Sequence, residues 1–152
     1  MIHRLKGLLV NNKMSISVAE SCTSGNLQSF LTSIAGSSDY FEGGITAYNI
    51  DQKVKHLDVD RKMAKSVDCV SQEVSDQMAL GCSKLFETRV SISTTGFINK
   101  HLFYSIVIDN KIVFRSKMDL SNYNNRLEAQ RFTPIDIVNR LLKVLEKGIW
   151  KM

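Results

Sequence analysis

An apolar run that passes directly into a polar turn and then into a helical pattern constrains the fold more than any other feature of this chain. Ile16 to Ala19 is short and apolar, as is typical of a buried strand. Asn26 to Ile34 has helical spacing and is expected to stop at Gly36. A helix that directly follows a strand packs on the sheet to which the strand belongs, and this arrangement favours an α/β fold.

Four further helices are predicted from apolar spacing and capping residues. The clearest follows Ser71, whose hydroxyl is suited to cap the first turn. The last is expected to begin at Pro134, with Thr133 as its cap and Asp136 in a capping-box position, and to end at Gly148. The remaining two span Ile2–Val10 and Asp51–Leu57.

The other strands follow from alternating or apolar runs, and they are predicted over Ile45–Tyr48, Arg89–Thr94, Leu102–Ile108 and Lys111–Met118. The two-residue link Asp109-Asn110 predicts a tight hairpin between the last two, because Asn tolerates positive φ. Helices interleaved with strands, together with one hairpin, imply a mixed sheet covered by helices. We expect one domain over residues 1–152.

The composition is that of an ordinary globular protein. Of the 152 residues, 43% are hydrophobic and 23% are charged. No apolar run approaches the length of a membrane span, and the apolar stretch at the N-terminus is too short for a secretory signal. The three cysteines, Cys22, Cys69 and Cys82, are widely spaced and indicate free thiols, so we expect a cytoplasmic protein that makes no membrane contact.

Charge and histidine content narrow the range of partners. The net charge of +5 is spread along the chain and indicates a slightly basic solvated surface, so nucleic acid is not the expected partner. The three histidines, His3, His56 and His101, are scattered, and no His or Cys pair has the spacing of metal ligands. Neither a metal nor a cofactor is therefore expected.

Three short polar clusters lie at or near predicted strand ends, which is where sites collect in α/β sheets. They are Glu20–Thr23, Thr46–Asn49 with Lys53 shortly after it, and Ser93–Gly96. A serine is a poor nucleophile without a base, and a lysine can act as that base when burial lowers its pKa. A tyrosine hydroxyl can relay a proton, and a backbone amide with a threonine hydroxyl can stabilise an oxyanion.

A Ser–Lys amidohydrolase site would form if the fold brings together Ser21, Lys53, Tyr48 and Thr95. Each residue also has a simpler interpretation: Ser21 as a helix cap, Lys53 as a solvated helix residue, Tyr48 as a half-buried strand residue and Thr95 as a turn former. Cys22 is a rival nucleophile, because a helix N-terminus can lower the pKa of a thiol. No histidine lies near Cys22 in the sequence to serve as its base.

These clusters together resemble the family formed by the C-terminal domain of CinA, the competence/damage-inducible protein, and its stand-alone form, nicotinamide-nucleotide amidase. The family motif Ala-Glu-Ser-Cys-Thr-Gly-Gly is similar to Ala19–Gly25 in this chain. Further blocks are similar over Ile34–Phe41, Gly44–Lys53, Val70–Gln72 and Thr95-Gly96. The blocks from Ser21 to Gly96 align without a gap, and the resemblance is most specific in the first half of the chain.

The resemblance implies a three-layer α/β/α fold with a mixed sheet, and hydrolysis of the carboxamide of nicotinamide mononucleotide (NMN) to nicotinic acid mononucleotide and ammonia. By carry-over, Ser21 is the expected nucleophile, Lys53 the general base and Tyr48 a support for the proton relay. A homodimer or larger homo-oligomer is also implied. The residues expected beside the substrate are Thr23, Thr95, Gly96 and Arg126, with Arg131 as the alternative phosphate ligand.

The chain departs from the family pattern at three places. Ser24 replaces a glycine of the first motif, and Pro134 is expected to interrupt what is one helix in relatives. A glycine- and proline-rich loop follows Thr-Gly in the family, whereas Phe97–Ile106 is shorter and has no glycine. The missing glycines leave one alternative open, a catalytically silent protein that binds a nucleotide or protein partner and is linked to the competence/damage response. The net charge and the family's name leave a further one, a nucleic-acid-associated competence factor.

Overall fold

A five-stranded mixed sheet forms the centre of the chain in a computed structural model that describes residues 1–151. The strand order is β2-β1-β3-β4-β5. β1 pairs in parallel with both β2 and β3, whereas β3, β4 and β5 are antiparallel neighbours. The predicted α/β fold with a mixed sheet is confirmed. The strands are β1 Ile16–Glu20, β2 Phe41–Thr46, β3 Val90–Phe97, β4 His101–Ile108 and β5 Lys111–Asp119.

Helices pack on both faces of this sheet. One face is covered by α1, α2 and α6, which contribute Leu5, Leu27 and Val138 to the larger buried cluster. The other is covered by α3, α4 and α5, which contribute Leu57 and Met78 to a second cluster. Among residues 1–151, none of the helices has the length and apolar character needed to cross a membrane. The helices are α1 Ile2–Asn11, α2 Asn26–Leu31, α3 Ile50–Leu57, α4 Arg61–Ser66, α5 Gln72–Phe86 and α6 Arg126–Lys147.

Local capping and turn signals predicted several element ends correctly. The Ser71 side chain accepts a hydrogen bond from the amide of Val74 at the start of α5. Asp109 and Asn110 have φ values of 52° and 62°, as a tight turn between β4 and β5 requires. Gly148 ends α6 with a φ of 64°. Each of these signals acts over a few residues, so it does not depend on the rest of the fold.

The predicted start of the last helix at Pro134 is wrong. α6 begins at Arg126, and the side chain of Asn125 accepts from the amide of Glu128 while the Glu128 carboxylate accepts from the amide of Asn124. This reciprocal capping starts the helix earlier, and the helix continues through Pro134. Thr133 is therefore not a cap. Its Oγ1 is buried and finds no hydrogen-bond partner within residues 1–151.

Other predicted bounds also change, and β3 continues to Phe97 beyond the predicted end at Thr94. α2 ends at Leu31 rather than Ile34, because the hydroxyls of Thr32 and Ser33 turn back onto the carbonyls of Gln28 and Phe30 and compete with a further helical turn. β2 spans Phe41–Thr46 instead of Ile45–Tyr48, because its residues pair in parallel register with β1. The short helix α4 was not predicted.

The parallel strands set the position of the candidate site. Because β1, β2 and β3 run in the same direction, the segments that follow them meet at one edge of the sheet. β3 continues to Phe97, and β4 begins at His101. A short hairpin therefore stands beside the turn after β1, at the place where the resemblance implies a glycine-rich loop.

Candidate active site

A cleft of about 270 Å³ opens at this edge of the sheet. It is bounded by the turns after β1 and β2, the β3–β4 hairpin, the segment before α5 and the first residue of α6. A larger and shallower groove of about 640 Å³ lies at the opposite edge, around the paired side chains of Arg89 and Asp109. The smaller cleft is the one that contains predicted site residues, and its lining includes Ser21, Tyr48, Thr95, Gly96, Phe97 and Arg126.

Ser21 and Lys53 lie side by side beneath this cleft. The Nζ of Lys53 is 3.0 Å from the Oγ of Ser21, across a sequence separation of 32 residues. Ser21 is held in the turn after β1, whereas Lys53 lies on α3 behind β2. Ser21 is 7% exposed and Lys53 only 1% exposed, so the pair is almost fully removed from solvent. This distance is within the range that general-base catalysis needs.

Lys53 has no carboxylate partner among residues 1–151. Its two other contacts are the backbone carbonyl oxygens of Ala47 at 2.8 Å and Tyr48 at 3.1 Å. Burial lowers the pKa of the Lys53 ammonium, since desolvation disfavours its charged form. The environment therefore favours a neutral amine more than that of a surface lysine does.

A buried carboxylate shapes the turn that carries Ser21. The Oε1 of Glu20 accepts from the amide of Leu27 at 2.8 Å and from the hydroxyl of Thr23 at 2.7 Å, and its Oε2 accepts from the amide of Gln28 at 3.0 Å. These bonds satisfy amides at the start of α2 that have no partner within the helix. Glu20 thus joins the end of β1 to the beginning of α2, and Ser21 lies between them.

Thr94 fixes the same turn from the neighbouring strand. Its Oγ1 accepts from the backbone amide of Ser21 at 3.3 Å and lies 2.8 Å from the Oγ1 of Thr23. Sequence reasoning did not single out Thr94, although it stands beside Thr95 in the third polar cluster. Its effect depends on the parallel pairing of β1 with β3, which sequence spacing does not reveal.

Tyr48 and Arg126 meet across the mouth of the cleft. The Nη2 of Arg126 donates to the hydroxyl of Tyr48 at 3.0 Å, and both residues line the cleft. Tyr48 contacts Lys53 through its backbone carbonyl only, and its side chain is 56% exposed. Arg131, the alternative phosphate ligand, lines a separate groove with Phe132.

The remaining predicted residues differ in their access to the cleft. The hydroxyl of Thr95 donates to the carbonyl of Cys69 at 2.6 Å, and Thr95 itself lines the cleft. Gly96 also lines it, and a Cβ there would lie 2.5 Å from the backbone of His101 and Leu102. Thr23 is fully buried beneath the turn, where its hydroxyl is held by Glu20. Thr23 thus supports the turn and is not part of the lining.

Cys22 is poorly suited to act as a nucleophile. It lines the cleft but is 5% exposed, and burial raises the pKa of its thiol to about 12. The reactive thiolate is therefore scarce at neutral pH. Within residues 1–151, no group of three or more His, Cys, Asp or Glu side chains is placed to hold a metal ion.

Five residues of the lining were not predicted as site residues: Asp68, Val70, Phe97, Ile98 and Asn99. Phe97 was noted only as the start of the segment that lacks the family's glycines, and Asp68 was not considered. Asp68 has a φ of 51° and the next residue, Cys69, has a φ of 59°. Two consecutive left-handed residues turn the chain sharply before α5 and bring this segment over the cleft. Neither residue type is unusual enough in sequence to have signalled this position.

Sequence comparison relates the chain to one family. The profile of the CinA C-terminal domain matches residues 1–100. A CinA-like protein of Flavobacterium psychrophilum is 42% identical over 89 residues, which cover 59% of this chain and 21% of that protein. A CinA-like protein of Amoebophilus asiaticus is 34% identical over 148 residues, covering 91% of this chain and 35% of that protein. The chain thus spans between 21% and 35% of the length of these two curated relatives.

Solved structures have the same fold. A CinA superfamily protein of Klebsiella pneumoniae matches with a TM-score of 0.89 at 17% identity, covering 96% of each chain. The competence/damage-inducible protein CihA of Agrobacterium tumefaciens matches with a TM-score of 0.82 at 24% identity, covering 97% of this chain and 91% of that one. At these identities the likeness concerns the fold. Together with the sequence profile, it completes the assignment: the chain belongs to the CinA C-terminal domain family.

Proposed function

We propose that the chain is an amidohydrolase that acts on the carboxamide of nicotinamide mononucleotide or a closely related pyridine nucleotide. The observation that carries this proposal is the 3.0 Å contact between the Oγ of Ser21 and the Nζ of Lys53 at the floor of a cleft. A serine needs an adjacent base to attack an amide, and a desolvated lysine without a carboxylate partner is such a base. The resemblance to nicotinamide-nucleotide amidases supplies the substrate class.

The contacts of Lys53 support its role as the base. A neutral amine has two N–H donors and one lone pair. When the carbonyls of Ala47 and Tyr48 take the two donors, the lone pair is left for the hydroxyl of Ser21. Ser21 then donates its proton to Lys53 as its Oγ attacks the carboxamide carbon.

The tetrahedral intermediate needs donors for its oxyanion. Within residues 1–151, the backbone amides of Cys22 and Thr23 donate to no backbone or side-chain oxygen, and their nearest acceptor is the Sγ of Cys22, a weak one. Both directly follow Ser21 in the turn. We propose them as the oxyanion donors, since backbone amides next to a nucleophile are a recurrent solution. Substitutions at Cys22 or Thr23 do not test this role, because they change the side chain and leave the backbone amide in place.

The remaining steps balance with water as the only co-reactant. Collapse of the intermediate breaks the C–N bond, and Lys53 returns its proton to the departing ammonia. An acyl group is then left on Ser21 Oγ. Water attacks this ester, Lys53 takes the proton of the water, and the proton passes back to Ser21 as the carboxylic acid leaves. No oxidant, metal or cofactor enters this sequence.

Arg126 is proposed to hold the phosphate of the substrate. It begins α6 at the cleft mouth, and a guanidinium presents a fork of donors that suits phosphate oxygens. Its present partner, the hydroxyl of Tyr48, is neutral and exposed, so an anionic ligand can replace that contact. Tyr48 would then be free to turn toward the substrate.

A second candidate function is binding without turnover. It is favoured by the short β3–β4 hairpin, in which Phe97 and the buried Ile98 stand where relatives have a glycine-rich loop. The cleft of about 270 Å³ is also slightly below the usual range for small-molecule sites, about 300–1,000 Å³. A silent member would bind the nucleotide and be stabilised by it, but would not release ammonia.

Ammonia release from NMN is the direct test of the proposal. Purified protein is incubated with the nucleotide, and ammonia and nicotinic acid mononucleotide are both quantified. Ser21→Ala and Lys53→Met should each lower kcat by roughly a thousandfold or more, since the two groups act as a unit. Lys53→Met keeps the length of the side chain but removes the amine.

Ser24→Gly is the matched control for this test. Ser24 lies in the same turn as Ser21, but it is exposed and has a φ of 51°, a conformation that glycine adopts easily. We expect this variant to retain the wild-type rate. Absence of turnover in the wild type, with a thermal shift on addition of NMN, would instead establish the silent binding protein.

A further inference from the structure

We infer that Phe97 forms the wall of the cleft against which a flat, positively charged aromatic ring of the ligand packs. This inference rests on the proposed function and deepens it, because it assigns the discrimination among amides to a residue of the β3–β4 hairpin. The residue comes from the segment in which the chain departs from the family pattern.

The hairpin holds Phe97 rigidly. Phe97 pairs with His101 at the end of the β3–β4 ladder, and the amide of Lys100 donates to the Phe97 carbonyl at 2.9 Å. Ile98 is only 2% exposed and belongs to the larger buried cluster, so the tip of the hairpin is anchored in the core. Because the turn contains no glycine, we expect the position of the Phe97 ring to be fixed before a ligand arrives.

Phe97 also lies beside the proposed chemistry. Along β3, Thr95 and Phe97 share a face of the sheet, and both line the cleft that contains Ser21 and Arg126. Phe97 is 40% exposed at the cleft. Its exposed surface is therefore available to a ligand that occupies the cleft.

Neighbouring aromatic rings brace the ring from the side. The imidazole of His101 is perpendicular to it, at 89° with the ring centroids 5.9 Å apart. Phe103 in turn packs perpendicular to His101, at 82° and 5.7 Å. The Nζ of Lys100 lies 5.9 Å from the Phe97 centroid, so this ring already attracts a cation of the protein.

The chemistry of the ring selects the class of ligand. The face of a phenyl ring carries partial negative charge and attracts flat cations. An N-alkylated pyridinium, such as the ring of NMN, combines a planar surface with a positive charge next to the carboxamide that Ser21 would attack. An aliphatic amide has neither a planar ring surface nor a positive charge to place against Phe97. We therefore expect selectivity for cationic aromatic amides.

The test compares Phe97→Leu with Phe132→Leu in the same assays. The two residues are similarly exposed, at 40% and 44%, but only Phe97 lines the cleft, whereas Phe132 lines a separate groove on α6. Binding is measured by calorimetry with two ligands that the proposed reaction does not consume. One is nicotinic acid mononucleotide, the reaction product, and the other is ribose 5-phosphate, which lacks the ring. Ammonia release from NMN gives KM and kcat, and a thermal melt of each variant verifies folding.

We expect Phe97→Leu to weaken binding of nicotinic acid mononucleotide and to raise KM for NMN by about 3- to 30-fold, the range that cation–π contacts support. In Phe97→Leu, the affinity for ribose 5-phosphate and the kcat for NMN should remain unchanged. Phe132→Leu should retain the wild-type values in every assay. Phe97→Trp should preserve or improve ring binding, because Trp is the best partner for a cation. These results together would support the inference.

The inference and the proposed function can fail separately. If wild-type protein releases ammonia but Phe97→Leu has unchanged KM and binding, Phe97 has no role in recognition and the amidase proposal stands. If no variant releases ammonia but ring binding still depends on Phe97, the amidase proposal fails and the inference stands. If Phe97→Leu weakens ribose 5-phosphate equally, its effect is on the cleft as a whole and the inference is overturned.

Discussion

The backbone carbonyl of Ala47 lies 2.8 Å from the Nζ of Lys53, closer than the Oγ of Ser21. Ala47 is fully buried, so its carbonyl has no solvent to replace this contact. The carbonyl of Tyr48 takes a second N–H at 3.1 Å. The two carbonyls therefore orient the amine, and its third contact is with the Oγ of Ser21 at 3.0 Å. Under the proposed function, the neutral amine would direct its lone pair along this third contact.

The first prediction concerns pH. Burial lowers the pKa of Lys53 from its ordinary value of 10.5, and only the neutral amine can accept the proton of Ser21. We expect kcat/KM for NMN hydrolysis to rise with pH and to reach half its maximum below pH 10.5. If kcat/KM has no rising limb at any pH below 10.5 at which the protein stays folded, Lys53 is not the base.

The same pKa makes a linked prediction about stability. The folded chain releases the Lys53 proton at lower pH than the unfolded chain does, so the unfolded state binds more protons between the two pKa values. The free energy of unfolding therefore gains a contribution that increases with pH across that window. The raised pKa values of Cys22 and Cys82 act in the opposite direction in both proteins, so the measurement is a difference. In urea denaturation, the free energy of unfolding of the wild type minus that of Lys53→Met should increase with pH across this window.

The third prediction concerns Glu20. Glu20→Gln keeps the shape of the side chain but replaces one acceptor oxygen with an NH₂ group that faces donors at Thr23, Leu27 and Gln28. We expect a loss of about 1–3 kcal/mol in the free energy of unfolding, because a buried donor is left unsatisfied. Thermal melts should record a fall of about 2–4 °C in Tm per kcal/mol.

Glu42→Gln serves as the control for Glu20→Gln. Glu42 is exposed on β2 and belongs to none of the ion pairs formed within residues 1–151. Its substitution should change the free energy of unfolding by less than about 0.5 kcal/mol. Equal effects of the two substitutions would show that the Glu20 contacts do not hold the turn.

The fourth prediction compares two helical glycines. A Cβ at Gly81 of α5 would lie 2.0 Å from the carbonyl oxygen of Leu57, at the end of the helix that carries Lys53. Gly81→Ala should therefore destabilise the fold by about 1–3 kcal/mol or more and displace α3, which would lower activity. Gly7 of α1 has nothing within 4 Å of such a Cβ, and Gly7→Ala should instead stabilise by about 0.5–1 kcal/mol.

Thermal melts and ammonia assays on both glycine variants provide the measurement. The two changes in Tm should have opposite signs, although both substitutions replace glycine with alanine. If Gly81→Ala melts at or above the wild-type temperature, α3 and α5 are not packed as closely as the contact with Leu57 implies.

The fifth prediction concerns cysteine reactivity. Burial raises the pKa of Cys22 and of Cys82 to about 12, so about one thiol in ten thousand is ionised at pH 8. Cys69 is partly exposed and should react first with iodoacetamide, as peptide mass spectrometry of the labelled protein would record. Preferential labelling of Cys22 would restore it as a rival nucleophile to Ser21.

Short-range signals in the sequence determined many of the helix and strand ends of this protein and the residue types of its candidate site. The run from Ile16 through Asn26 predicted a strand followed by a helix, and Ser71, Asp109-Asn110 and Gly148 predicted a helix start, a turn and a helix end. Each of these depends on backbone groups within a few residues. The residue types also pointed to a serine with a lysine base before any distance was known.

The tertiary structure decided where those elements end and which side chains meet. β2 includes Gly43 and Gly44, although glycine is a poor strand residue. The reason is close packing from both faces of the sheet. A Cβ at Gly43 would lie 2.7 Å from Phe86 of α5, and one at Gly44 would lie 2.4 Å from Gln28 of α2. The start of α6 at Arg126 instead of Pro134 has a local cause, since Asn125 and Glu128 cap the helix through hydrogen bonds within four residues.

The pairing of Ser21 with Lys53 was decided by the tertiary structure. Two parallel strand pairings bring the ends of β1, β2 and β3 to one edge, and α3 then delivers the amine from behind β2. Spacing along a chain carries no information about which segments become neighbours in a sheet, because strand order is set by the burial of whole faces. The sequence therefore determined the chemical groups, and the packing of the sheet determined their contact.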